Sequence, residues 1–424
     1  MKFKQSADSV EELIAMRPGA ECIQAANASQ AIPINEFISM SPGSSNSYLL
    51  HNASGRIIIN TGMGFESHTH KRLFDQVSGA STKYILLTQG HVDHVGGVAT
   101  FREPDTLVVA QENNQACQAD DARIGVVRIQ QSYIWFSHII DQAVKAAEEN
   151  PAHVTQDIPI PDLVFRDTHE LDLGGIRVEL ISTPGGETLD SLIAWLPQHK
   201  ILFSGNLFGA LFPHFPNFNT VRGDKYRMPE KYLSSLDTAR SLEPEVLITG
   251  HGEPVYGSSL IRDCLDRLEA SVEYVMKKTL DGMNQGIDVF TLSKQIVLPK
   301  ELTVGQGYGK VDWAVRTIWE AYMGWFHRMS TTELYSHHHR EIYEDILLAA
   351  GADALLERGE QCLRKGEYLS SIQLAEIVLS KEESPRAKNL SIQAHTALLE
   401  NESENFWLRG WLQHQLQTLT SGSK

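Results

Sequence analysis

Cysteine is scarce in this chain, and so is positive charge. Its four cysteines, Cys22, Cys117, Cys264 and Cys362, stand far apart among 424 residues and form no Cys-x-x-Cys pair. That argues against a disulfide framework and fits a reducing compartment. Lysine and arginine total 37 against 53 acidic residues, a formal net charge of −16. Binding a phosphate backbone needs clustered cations, so the balance excludes nucleic acid as a partner and favours solubility. A membrane-spanning helix needs about eighteen consecutive apolar residues, and no such run occurs. The N-terminal stretch Met1 to Asp8 lacks the apolar segment of a signal peptide. These absences together describe a soluble, cytoplasmic protein.

The chain is too long for one compact domain, and two are expected. Its first two-thirds read as strands alternating with loops and helices. Strands are expected at Arg56 to Gly62, Lys83 to Leu87, Thr106 to Ala110, Arg177 to Ser182, Leu192 to Leu196, Lys200 to Phe203 and Val246 to Thr249. The short Pro197-Gln198-His199 link predicts an antiparallel hairpin. Residues 111 to 150 carry a helical pattern, as do Arg262 to Lys278. From Val311 onward apolar residues recur at three- and four-residue spacing, with antiparallel helices expected at 352–364, 368–379 and 385–399. The expected organisation is a layered α/β domain over 1–275 and an all-α helical domain over 276–424.

The densest chemistry lies in Thr88-Gln89-Gly90-His91-Val92-Asp93-His94-Val95-Gly96-Gly97, directly after the apolar run Tyr84 to Leu87. Two imidazoles and a carboxylate within four residues suit zinc or iron. Three later strand ends bear further candidates: Glu187 in Thr183-Pro184-Gly185-Gly186-Glu187, Asn206 after Ser204-Gly205, and His251 between Gly250 and Gly252.

This order and spacing resembles the metallo-β-lactamase superfamily, whose loop pattern is H-x-H-x-D-H. It is closest to the alkylsulfatase branch, in which the Pro-Gly loop carries Glu and a second carboxylate follows nineteen positions later. Here that position is Asn206, and Gln89 stands where the first histidine would be. Asn217 to Gly223 resembles the branch's sulfate-binding segment, with Asn217 and Arg222 at the matching positions. Val315-Arg316, Gly324-Trp325-Phe326, Gly351 to Ala354 and Gly366-Glu367-Tyr368 resemble its dimerisation domain. The branch's C-terminal sterol-carrier-like domain has no counterpart in this sequence.

The resemblance implies an αββα sandwich followed by a helical dimerisation domain, hence a homodimer. It implies metal ligation by Gln89, His91, Asp93, His94, Glu187, Asn206 and His251, with Arg222 and Asn217 on a small anionic, sulfate-type ester. Gln89 and Asn206 are neutral, weaker ligands. One strong zinc site at Asp93, His94 and His251 is therefore expected, with a second weak or absent. A metal-bound hydroxide would attack, Asp93 orienting the metal and Glu187 ligating or acting as general base. Two other readings stay open: a mononuclear iron enzyme of oxidative or lyase chemistry, and a metal-poor, non-catalytic dimeric binding protein. His68-Thr69-His70 is expected to be a decoy in a polar helix start, and His337-His338-His339 an exposed element. Trp313, Trp319, Tyr322, Trp325 and Phe326 are spaced for a buried helix face, as core or dimer seam.

Overall fold

The computed structural model describes residues 7–20, 22–218, 221–225, 227–402 and 404–421. The signal-peptide expectation rests mostly on residues 1–6, and Asn219 and Thr220 of the sulfate-type segment also lie outside that set. The chain forms two compact units, Met1–Ala321 and Tyr322–Lys424.

The first unit is built on two mixed sheets. One runs in chain order through Ile32–Pro33, Ile38–Ser41, Ser47–Asn52, Gly55–Ile59, Thr82–Leu86, Leu107–Gln111 and Leu163–Phe165. It is antiparallel as far as Gly55–Ile59 and parallel beyond. The other is ordered Val255–Tyr256, Val246–Thr249, Ile201–Gly205, Leu192–Leu196, Ile176–Ser182, Thr168–Leu173. The expected hairpin is there, with Trp195 opposite Leu202 in antiparallel register.

Every residue of Gly55–Ile59 is buried, because alternate side chains face different cores. Ile57 and Ile59 join Tyr48, Leu50, Leu180, Ala194 and Phe203 between the sheets. Ile58 points the other way, to Phe74, Val95, Val98 and Phe101 on the covering helices. On the far side, Ile193, Trp195 and Leu202 pack with residues of Pro229–Ser241 and Ser258–Asn284. The result is the expected αββα layering. Each fully buried Ile, Leu or Phe contributes about 1.5–3 kcal/mol of apolar burial, so a charge at Ile58 would break the outer layer first.

The second unit contains no strand among its described residues. Its helices Ala352–Arg364 and Tyr368–Leu379 match the expected spans, and Pro385–Glu402 extends the third. Leu355, Leu356, Ala375, Val378, Ala387 and Leu390 form its core.

Several expectations differ from what is observed. A boundary at 275/276 falls inside the continuous helix Ser258–Asn284, whereas the compact units divide after Ala321. The aromatic stripe is not one buried face. Trp319 is buried and Trp313 half-buried, but Tyr322 and Trp325 are exposed. The helix Val311–Met323 ends just before Gly324, whose φ of +73° breaks the repeat and leaves Trp325 outside it. His70 is a core residue rather than part of a polar helix face: it is fully buried, with Nδ1 2.7 Å from Ser41 Oγ. The triplet His337 to His339 is exposed, as expected.

Candidate metal centre

Ile176–Ser182 and Ile201–Gly205 both run antiparallel to Leu192–Leu196, and Val246–Thr249 runs parallel to Ile201–Gly205. Their C-terminal ends therefore share one edge, which bears Glu187, Asn206 and His251. The other sheet supplies the loop after Thr82–Leu86. That loop is tied to the neighbouring strand end by Asn60, whose Oδ1 accepts from the Thr88 backbone N–H at 2.9 Å. Thr61 N–H donates to His94 O at 2.8 Å, and Gly96 N–H to Gly62 O at 3.0 Å. Gly97 is required by this close approach, since a Cβ there would lie 2.3 Å from Ser67 Cβ and 2.7 Å from Thr61 O.

Asp93, His94 and His251 each offer one donor atom, and these atoms lie within 4.8 Å of one another. His94 Nε2 is 3.6 Å from Asp93 Oδ2, and His251 Nε2 is 3.9 Å from the same oxygen. The Asn206 amide nitrogen sits 3.2 Å from each imidazole Nε2 and donates to Glu187 Oε2 at 2.8 Å. Asn206 Oδ1, Gln89 Oε1 and His251 Nδ1 are buried without partners. A mixed N/O set of two buried imidazoles and a partly exposed carboxylate, with a spare amide oxygen beside it, fits a borderline dication.

The remaining candidates are committed elsewhere. Gln89 Nε2 lies 2.7 Å from His91 Nδ1. Glu187 Oε1 accepts from Tyr308 Oη at 3.1 Å and Arg227 Nη1 at 3.3 Å, while Asn206 occupies Oε2. Asp190 is held by Asn114 Nδ2 at 2.7 Å. Arg222 Nη2 is 3.8 Å from Asp224 Oδ2, and its Nε is buried and unpartnered. Asn217 is buried and accepts Arg227 Nη1 on its backbone oxygen at 3.1 Å.

The electrostatics separate the two sets of residues. Burial pulls the His94 imidazole down to about 4, against the pull of Asp93, so its ring is neutral. Burial also opposes charge on His91, but Asp224 and Glu187 outweigh it and hold the ring up at about 9. The two carboxylates face opposite sides of the ring, Glu187 Oε2 lying 3.6 Å from Nδ1 and Asp224 Oδ2 3.7 Å from Nε2. Burial raises the Glu187 carboxyl, yet Arg227, His91 and Arg222 together hold it well below the usual range. Asp93 is likewise lowered, burial being outweighed by His94 and His251.

Arg227, Asp224 and Tyr308 escaped the sequence reading. Asp224 and Arg227 follow Arg222 closely, and Tyr308 lies in Gly305-Gln306-Gly307-Tyr308-Gly309, where alternate glycines signal close backbone approach.

Residues 40–251 match the family model for the metallo-beta-lactamase superfamily, and residues 291–422 that for alkyl sulfatase dimerisation. A linear primary-alkylsulfatase of a Pseudomonas species is 29% identical over 293 residues, 64% of this chain and 54% of that protein. The alkyl/aryl-sulfatase BDS1 of Saccharomyces cerevisiae is 21% identical over 77% of this chain and 54% of its own length. The chain thus spans about half the length of these curated relatives. The solved structure of the stereoselective inverting sec-alkylsulfatase Pisa1 from Pseudomonas sp. superposes with a TM-score of 0.80 at 19% identity, covering 93% of this chain and 66% of that one.

Proposed function

The chain belongs to the metallo-beta-lactamase superfamily, and from that premise we propose that it is a metal-dependent hydrolase of sulfate-type esters built around one strong metal site. The observation that carries the reading is the convergence of Asp93, His94 and His251 beside the cationic pair Arg222 and Arg227. The alkylsulfatase relatives supply the substrate class. Asp93, His94 and His251 would hold zinc. A dication in such a set supplies Lewis-acid polarisation and brings the acidity of water toward neutrality.

The protein groups bind and orient. The Arg222 guanidinium suits a sulfate-type oxyanion through paired N–H donors, and Asn217 accompanies it. Glu187 anchors rather than acts as a base: both of its oxygens are engaged, and its charge fixes Arg227 and Tyr308. Its commitments, with the Gln89–His91 contact, make the second site weak. The helical region matched to the dimerisation model supports a homodimer, which a strictly monomeric sedimentation profile would contradict. The acid-rich charge balance and the lack of any disulfide among the described residues support a cytoplasmic setting.

Elemental analysis of protein purified without added metal, paired with hydrolysis of short- and long-chain alkyl sulfates, tests the reading. One zinc per chain and sulfate release are expected. Stoichiometric iron without sulfate release would favour iron chemistry on the same two-histidine-one-carboxylate set. A metal-free, inactive chain would overturn both.

A further inference from the structure

His251 lacks the support that usually aims a metal-binding imidazole. Such rings commonly donate their second nitrogen to a carboxylate or carbonyl, but His251 Nδ1 is buried without a partner. His94, by contrast, has Thr88 Oγ1 3.4 Å from its Nδ1. Apart from the Asn206 amide at Nε2, the direction of the His251 ring is therefore left to its backbone.

That backbone is gripped at every carbonyl from Thr249 to Gly252. Tyr48 Oη donates to Thr249 O at 2.6 Å, and Asn46 N–H donates to Gly250 O at 2.7 Å. Thr249 Oγ1 donates to His251 O at 2.5 Å, and Asn46 Nδ2 donates to Gly252 O at 2.7 Å. The second amide hydrogen of Asn46 goes to Tyr48 Oη at 2.9 Å, so the two side chains act in series. Both are buried, and the Tyr48 ring packs edge-on against Phe203 with centroids 5.4 Å apart. Three of these four donors come from Asn46 and Tyr48, at the start of Ser47–Asn52, a strand of the opposite sheet.

We propose that Asn46 and Tyr48 are positioning residues that fix the Thr249–Gly252 loop and thereby aim His251 at the metal. The proposal rests on the metal-site reading above. Without the Tyr48 hydroxyl, Thr249 O loses its donor and the Asn46 amide loses an acceptor. The loop can then relax and the ring can swing on a site that tolerates little displacement.

The test is zinc affinity of the full chain, measured by competition with a chromophoric chelator, for the parent, Tyr48→Phe, Asn46→Ala and His251→Ala. Tyr48→Phe keeps the ring packing, and Asn46→Ala keeps the backbone bond to Gly250. Each should weaken zinc about 10–100-fold at unchanged stoichiometry, and the double variant should lose less than the product of the two because the bonds are in series. Melting of the metal-free chain is read alongside. Lowered melting with zinc affinity within about threefold of the parent would mark a merely structural role and overturn the proposal. If His251→Ala bound zinc as tightly as the parent, the metal-site reading would fail, and this proposal with it. Weakening by His251→Ala alone would reject only the positioning role.

Discussion

Around Asp93, His94 and His251 the donor atoms face one another across a few ångströms, with a single amide among them. Around Gln89, His91 and Glu187, the donors face other protein groups: an amide on His91, and a guanidinium, a phenol and an amide on Glu187. The residue types in the two sets are similar, and all but the partly exposed Asp93 are buried. What differs is whether the lone pairs are already engaged. A carboxylate clamped by Arg227 and Tyr308 would have to give up charge-assisted bonds before ligating, a cost of several kcal/mol in a buried setting. Ligand identity is thus a poorer guide to a metal site than ligand availability.

The largest effect expected of any change is on metal binding. His251→Ala should lower zinc affinity by about 100-fold or more, whereas His91→Ala should retain about one ion per chain in equilibrium dialysis; equal losses would erase the contrast. The converse change, Gln89→His with Asn206→Asp, restores charge and imidazole to the weaker set, and elemental analysis should rise from one ion per chain to two. A ratio still at one would mean that the clamp on Glu187, rather than the two amides, closes that site.

Arg227→Leu isolates the clamp. It removes the nearest cation from buried Glu187, leaving Tyr308, Asn206 and the His91 ring beside it, and urea unfolding should show a loss of about 3 kcal/mol, the low end for a broken buried pair. Unchanged stability would mean that Glu187 does not depend on Arg227.

A pH-dependent effect separates both sets from the rest of the interior. His70 is a buried ring in neither set, pulled down to about 3 by burial from an ordinary 6.5. The unfolded ring takes up its proton as pH falls below 6.5, while the folded ring resists until about 3. The stabilisation is complete above pH 6.5 and is lost toward pH 3, by up to about 1.4 kcal/mol per pH unit. His70→Gln should flatten that slope in unfolding curves between pH 4 and 7 and leave zinc affinity unchanged. An unaltered slope would show that another group governs the acid side.

Much of this was legible in the sequence, for reasons that can be named. Val246–Thr249 and Leu192–Leu196 are continuous apolar runs beside glycine or proline, and their observed bounds coincide with those expected. Ile38–Ser41 was missed because Ser39 and Ser41 alternate with its apolar residues, and Ser47–Asn52 because polar residues flank a run of only Tyr48-Leu49-Leu50; the serines are buried, and Ser47 Oγ donates to Asn60 O at 2.7 Å. Thr168–Leu173 was missed for the opposite reason, its alternate polar residues diluting the apolar signal. In the candidate site, Asp93, His94 and His251 stand out by residue type and spacing, and their donor atoms do converge. Arg227 and Tyr308 do not, because their importance comes from meeting Glu187, which only the folded chain brings about.

The division of the centre between two sheets also bears on when it comes into being. Asp93 and His94 arrive with the first sheet, while Asn206 and His251 wait for the second, whose strands are far later in the chain. Closing such distant contacts is slow and comes with the packing of the sandwich rather than before it. A chain released part-way through synthesis would carry the His91–His94 loop without Asn206 and His251, so capture of the proposed ion would wait for the completion of the first unit's fold.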